Sequence, residues 1–152
     1  MPRARHGSLA AYLAIVINAA TYLFVFHAHA AGFVLRRSGS WWVEFGNCPP
    51  CVDGHDRVGA LTCVWLLVGL AALFVRRSEG LLVARLTSLF VIFTGWAPIL
   101  AAWRIMGSDG LAYPAARPAF VWAAILTALG LAGLAALLVP NARRILAGTP
   151  AA

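Results

Sequence analysis

Residues 81–103 read LLVARLTSLFVIFTGWAPILAAW, an apolar run in which Arg85 is the only charged residue. An α-helix rises about 1.5 Å per residue, so a helix over this run is long enough to cross a hydrocarbon layer of about 30 Å. Runs of similar character occupy residues 9–35, 54–75 and 119–139. The sequence therefore predicts four membrane-spanning helices.

The composition points to the same class. Hydrophobic residues make up 62% of the chain and charged residues 11%, and the mean hydropathy is +0.83. This leaves too little polar surface to cover a soluble globule, so much of the surface must face lipid. The runs are also longer than the roughly 10-residue strands of a membrane barrel. We predict an all-α integral membrane four-helix bundle that forms one domain over residues 1–152.

The predicted crossings also give a topology. An even number of crossings places both termini on one side and leaves two outer loops, 36–53 and 104–118. The basic N-terminal segment and the apolar run after it resemble a signal peptide, but the run exceeds the usual apolar region of about 7–15 residues, so we interpret it as a retained helix. Seven of the 12 basic residues lie on the terminal side and five on the other. This bias predicts cytoplasmic termini and a place in the cell inner (cytoplasmic) membrane.

The positive charge does not indicate a nucleic-acid partner. The net charge is +7 and the isoelectric point is near 10.7. The arginines are scattered in ones and twos at helix ends, however, as topology signals and lipid head-group anchors are. The lipid bilayer is therefore the expected partner.

Two helices carry a face suited to close packing. Asn18, Tyr22 and His29 share one face of the first helix, which predicts an inward-facing seam that Ala11 and Ala14 extend. His27 falls on a different face. In the fourth helix small residues recur at every fourth position and predict close contact with another helix, either of this chain or of another membrane subunit. These are Ala124, Ala128, Ala132 and Ala136.

Cys48-Pro-Pro-Cys51 is the strongest local motif, and we expect the second helix to begin near Gly54, just after it. In a loop that faces an oxidising compartment, two cysteines at this spacing form a small-ring disulfide. The bond either stiffens the loop permanently or exchanges with an extracytoplasmic thiol protein. The two interpretations stay open, with Cys48 and Cys51 as catalytic residues in the second.

Metal binding is a further alternative for the same segment. Cys48, Cys51 and His55 offer ligands that suit zinc or copper, with Asp53, Asp56 or His29 to complete the shell. Pro49 and Pro50 lack the N–H groups that usually support thiolate ligands.

Trp65, Trp96, Trp103 and Trp122 are predicted to lie toward the outer ends of their helices. Interfacial anchoring explains such tryptophans. The cytoplasmic interface is expected to have none, so an outer pocket that accepts a flat ring or another subunit is the alternative.

With its four predicted helices, cytoplasmic termini and a Cys-x-x-Cys pair ahead of the second helix, the chain resembles the DsbB-type membrane disulfide-bond formation proteins. The resemblance covers Cys48, Cys51 and Arg57 and implies a bound quinone, for which Arg57, Trp65 and Trp96 are the candidate residues. That family has a second cysteine pair in its second outer loop, whereas residues 104–118 contain no cysteine.

Three functions follow as hypotheses. The first is a quinone-linked redox protein that works through Cys48 and Cys51. The second is a non-catalytic accessory or assembly subunit of a larger membrane complex, bound through the fourth helix. The third is a metal-handling protein.

Overall fold

The computed structural model describes the backbone of residues 3–37, 49–106 and 116–148, and side chains within 9–30, 60–104 and 119–148. Over these residues every regular element is an α-helix, which confirms the predicted all-α class. The helices are α1 Arg3–Arg37, α2 Pro49–Ala72, α3 Ser78–Met106, α4 Ala116–Leu138 and α5 Pro140–Leu146.

Three of the helices are long and apolar enough to cross a membrane. Their candidate spans are Leu9–Ala30, Ser78–Ala97 and Ala119–Leu138, and α2 contributes a shorter apolar helix over Ala60–Ala72. Large apolar side chains cover the outside of the molecule, such as Leu61, which is 69% exposed. Water would penalise this surface strongly, whereas lipid would not. The described part of the chain therefore has the character of a helical membrane protein.

The second helix begins earlier than the sequence predicts. It starts at Pro49 instead of near Gly54, so Pro50 and Cys51 are also helical. Proline is tolerated in the first turn because the N–H that it lacks would have no partner inside the helix. The proline pair therefore opens the helix.

Neighbouring helices run in opposite directions, as contacts at successive levels show. Between α3 and α4, Arg85 bonds Leu137 near one end and Trp96 bonds Thr127 toward the other. Between α2 and α3, Gly69 lies against Thr87, and the Trp65 ring packs against Phe90. Helix α1 also packs against α2 and α4.

The short helix α5 closes one end of the molecule. It packs against α1, and its Ala142 and Leu146 are buried. Gly148 ends the segment with a φ of 69°, and a Cβ there would lie 2.5 Å from the Arg76 carbonyl oxygen. Glycine has no Cβ and therefore adopts this conformation freely. The end of α5 is thereby seated against the turn between α2 and α3, beside the start of α1.

Candidate functional site

The Cys48-Pro-Pro-Cys51 motif leads directly into α2. Since the helix begins at Pro49, Cys51 belongs to its first turn and Cys48 precedes it in sequence. The N–H groups of a first turn have no partner inside the helix, and together with the helix dipole they favour negative charge. Cys48 and the side chain of Cys51 lie outside the described residues, so the predicted disulfide stays a prediction.

Two further candidate residues of this segment, His55 and Arg57, are in the backbone of α2. Positions 51 and 55 are four residues apart and fall on one helix face, whereas position 57 falls on another. The register thus keeps the predicted metal-ligand pair together and separates Arg57 from it. The side chains of His55 and Arg57 lie outside the described residues, and their predicted roles are not tested.

Trp65 lies far along α2 from Cys51. At 1.5 Å per residue it is about 24 Å along the axis from the first residue of α2 and about 21 Å from Cys51. Because α2 begins at Pro49, Trp65 is past the middle of the helix, beside Phe90 of α3 at a centroid distance of 6.1 Å. Trp65 is therefore not near the end of α2 that carries Cys51, and whether it lies near a membrane interface stays a prediction. Its Nε1 is buried and has no hydrogen-bond acceptor among the described residues.

Trp96 belongs to a different contact. Its Nε1 donates a 3.0 Å hydrogen bond to Thr127 Oγ1, and its ring packs edge-on against Phe120 at 6.4 Å. It stands about 9 Å farther along α3 than Phe90, the ring that Trp65 contacts. The structure therefore assigns Trp96 to the α3–α4 interface, and a quinone site beside Trp65 and Trp96 stays a prediction.

His29, a candidate metal ligand, and Cys63, the third cysteine of the chain, have ordinary local roles. The ring Nδ1 of His29 pairs with the Val25 carbonyl oxygen at 2.9 Å, one turn earlier in the same helix. Cys63 is a half-buried free thiol, as expected of a packing residue. Among the described side chains, no group of three or more His, Cys, Asp and Glu residues comes close enough to hold a metal ion.

A buried polar cluster joins α1, α3 and α4 instead. Asn18 donates from Nδ2 to the carbonyl oxygens of Ala14 at 2.8 Å and Gly133 at 3.0 Å. Its Oδ1 accepts a 2.9 Å hydrogen bond from Ser88 Oγ. Tyr22 completes the cluster, with its hydroxyl 2.9 Å from Ser88 Oγ and bonded to the Ala84 carbonyl. The predicted inward seam is confirmed for Asn18, Tyr22 and the alanines before them, which are buried, whereas His29 is half-buried.

The number of available protons limits which of these bonds can form together. Each hydroxyl has one proton to donate. When Ser88 donates to Asn18, the Tyr22 proton goes either to the Ala84 carbonyl or to Ser88, and every polar atom of the cluster keeps a partner. Buried polar groups in lipid need such partners, so the cluster stabilises the contact between α1, α3 and α4. Ser88 was not predicted from the sequence, although Thr87 and Ser88 are adjacent polar residues in a largely apolar run.

Two glycines of α4 lie in its close contacts with α1 and α3. A Cβ at Gly133 would lie 2.5 Å from Asn18 Oδ1, and one at Gly130 would lie 2.7 Å from the Ser88 carbonyl oxygen. Both positions are buried, so α4 presents this glycine face to α1 and α3. The predicted alanine ridge lies elsewhere: Ala124, Ala128 and Ala132 are exposed, and Ala136 is half-buried. The ridge therefore faces away from the core at its first three positions, while Ala136 packs against the core.

Arg85 connects α3 to the end of α4. Its Nη2 donates a 3.1 Å hydrogen bond to the Leu137 carbonyl oxygen, while its Nε is buried without a partner among the described residues. Carbonyl groups in a last helical turn lack intrahelical donors, and a cation satisfies both their lone pairs and the helix dipole. Arg85 is thus a cap supplied by a neighbouring helix.

Comparison of the chain with protein-family models, curated proteins and solved structures found no match. The resemblance to the disulfide-bond formation family therefore rests on its residues alone.

Proposed function

We propose that the chain is a membrane redox protein whose Cys48 and Cys51 cycle between dithiol and disulfide at the end of the molecule opposite its termini. One observation carries the proposal: α2 begins at Pro49, so the cysteine pair stands at a helix start. Helix N-termini stabilise thiolates, and the thiolate is the species that attacks a disulfide.

The topology is part of the proposal. In it, α2 also crosses the membrane, the four long helices form a bundle, and both termini are cytoplasmic in the inner membrane. Leu9 near the start of α1 and Ile145 of α5 line the same groove, which supports the placement of both termini at one end of the molecule. The seven arginines of that side support its cytoplasmic orientation.

The proposed reaction is a thiol–disulfide exchange that conserves electrons and protons. A substrate protein with two thiols transfers two electrons and two protons to the Cys48–Cys51 disulfide, whose S–S bond breaks as a new S–S bond forms in the substrate. The dithiol then gives up two electrons and two protons to regenerate its disulfide. A lipid quinone, which the family resemblance implies, supplies an acceptor for both when bound. Arg57, Trp65 and Trp96 remain the candidate contacts for it.

Alkylation of the cysteines tests the exchange. In native membranes, a maleimide reagent of high mass is expected to modify Cys48 and Cys51 only after a reductant is added, and removal of the reductant should restore protection. The Cys48→Ser and Cys51→Ser variants should lose reversible protection while they keep normal abundance. Cys63→Ser is the matched control, since this free thiol should not affect the cycle. Loss of abundance in both loop variants would instead show a structural disulfide.

A second candidate is an accessory subunit of a membrane complex. It is favoured by the outward alanine ridge, because small residues on an exposed helix face permit close approach of another helix. Ala128→Leu is expected to remove a copurifying membrane subunit without lowering the stability of the monomer. Leu131→Ala, which also changes an exposed side chain of α4, is the control. Unchanged subunit recovery in Ala128→Leu would contradict this function.

A further inference from the structure

A groove opens at the end of the molecule that carries α5. It has a volume of about 670 Å³ and is lined by α1, the α2–α3 turn and α5. Most of its walls are apolar, including the exposed side chains of Leu9, Tyr12 and Phe74. Arg76 belongs to the same lining and is its one charged residue. The groove therefore combines a long apolar surface with a single positive charge.

Its position corresponds to the boundary between hydrocarbon and head groups. Leu9 is the first residue of one candidate span, and Ser78, just after Arg76, is the first residue of another. Arginine at this depth binds phosphate, while the apolar walls below it contact acyl chains.

The groove is also preformed. Gly148 approaches the Arg76 carbonyl oxygen so closely that a Cβ would not fit, and this contact fixes the end of α5 against the α2–α3 turn. Leu146, which lines the groove, is 5% exposed and packs into the core. The groove therefore needs little rearrangement of its walls when a ligand binds.

We propose that this groove binds an anionic phospholipid, with an acyl chain along Tyr12 and Phe74 and the phosphate at the Arg76 guanidinium. The charge of the surroundings favours an anionic over a zwitterionic lipid, because Arg77, Arg143 and Arg144 are exposed on the same end and outnumber its described acid, Glu79. No acidic residue belongs to the groove lining among the described residues. The proposal is independent of the cysteine chemistry, which concerns the opposite end of α2.

Native mass spectrometry of the full chain in mild detergent tests it, with phosphatidylglycerol and phosphatidylcholine as probes. The wild type should bind one phosphatidylglycerol about fivefold more tightly than phosphatidylcholine, the difference expected for one interfacial arginine. Arg76→Gln should remove this preference. Arg77→Gln is the matched control, because Arg77 is adjacent and exposed but does not line the groove, and it should keep the preference.

A second variant tests the acyl contact. Tyr12→Ala removes an exposed wall residue and should weaken both lipids similarly without changing their ratio. Excess inorganic phosphate should not displace the lipid, since a free ion makes no apolar contact. Equal effects of Arg76→Gln and Arg77→Gln would overturn the site in favour of diffuse surface charge. Absence of a phosphatidylglycerol preference in the wild type, or unchanged binding in Tyr12→Ala, would also overturn it.

Discussion

Ser88 Oγ donates a 2.9 Å hydrogen bond to Asn18 Oδ1 and thereby joins α3 to α1 at a buried level of the molecule. Asn18 Nδ2 also donates a hydrogen bond to the Gly133 carbonyl oxygen and so joins α1 to α4. In lipid, where apolar surface gives little drive for helices to associate, such bonds and close packing decide which helices meet. One polar pair thus fixes the relative placement of three helices.

We expect Asn18→Ala and Ser88→Ala each to lower the free energy of unfolding by about 1 kcal/mol, the order found for interhelical hydrogen bonds in membranes. A double-mutant cycle measured by reversible unfolding in detergent micelles should give a coupling energy of about 0.6 kcal/mol or more. Thr94→Val is the control partner, because the Thr94 hydroxyl bonds only the Val91 carbonyl of its own helix among the described residues. Coupling of Asn18 to Thr94 as strong as that to Ser88 would contradict the assignment.

Gly133→Ala should destabilise the protein by about 1–3 kcal/mol, the usual cost of overpacking. The added Cβ would lie 2.5 Å from Asn18 Oδ1, and the amide cannot retreat without losing its bonds. Ala132→Leu adds a larger group at the neighbouring position, yet that position is exposed, so the monomer should tolerate it. Thermal unfolding of the two variants gives the comparison. Equal destabilisation would mean that α4 presents a different face to the bundle.

Arg85→Met should lower stability by about 1 kcal/mol, since the Leu137 carbonyl oxygen loses a charged hydrogen-bond donor. Arg104→Met serves as the control because Arg104 is exposed in the last turn of the same helix. The thermal midpoint of Arg85→Met should fall below that of Arg104→Met. Identical midpoints would show that water or lipid replaces the cap without cost.

The proposed topology predicts the behaviour of reporter fusions. A periplasmic reporter fused after residue 152 should be inactive, and one inserted within residues 38–47 should be active. An active periplasmic reporter at residue 152 would invert the orientation and place the cysteine pair in the reducing cytoplasm. In that case the disulfide cycle would no longer follow from the compartment.

The amino-acid sequence by itself determined the helical class, because apolar runs of this length leave the backbone no other way to satisfy its hydrogen bonds in lipid. It also determined the inward face of α1, since a polar side chain such as Asn18 needs partners that lipid does not offer. Both properties depend on local composition and on the helical period, which are read directly from neighbouring residues.

The tertiary structure alone decided which small residues form the contacts. The spacing of Ala128 and Ala132 and that of Gly130 and Gly133 both permit close approach, but rotation of α4 about its axis is set by distant partners, and it turns the glycines inward. The same holds for Arg85, whose acceptor is a carbonyl group 52 residues away in the chain. The position of Trp65 along α2 depended on where the helix begins, and the tolerance of a first helical turn for Pro49 moved that start.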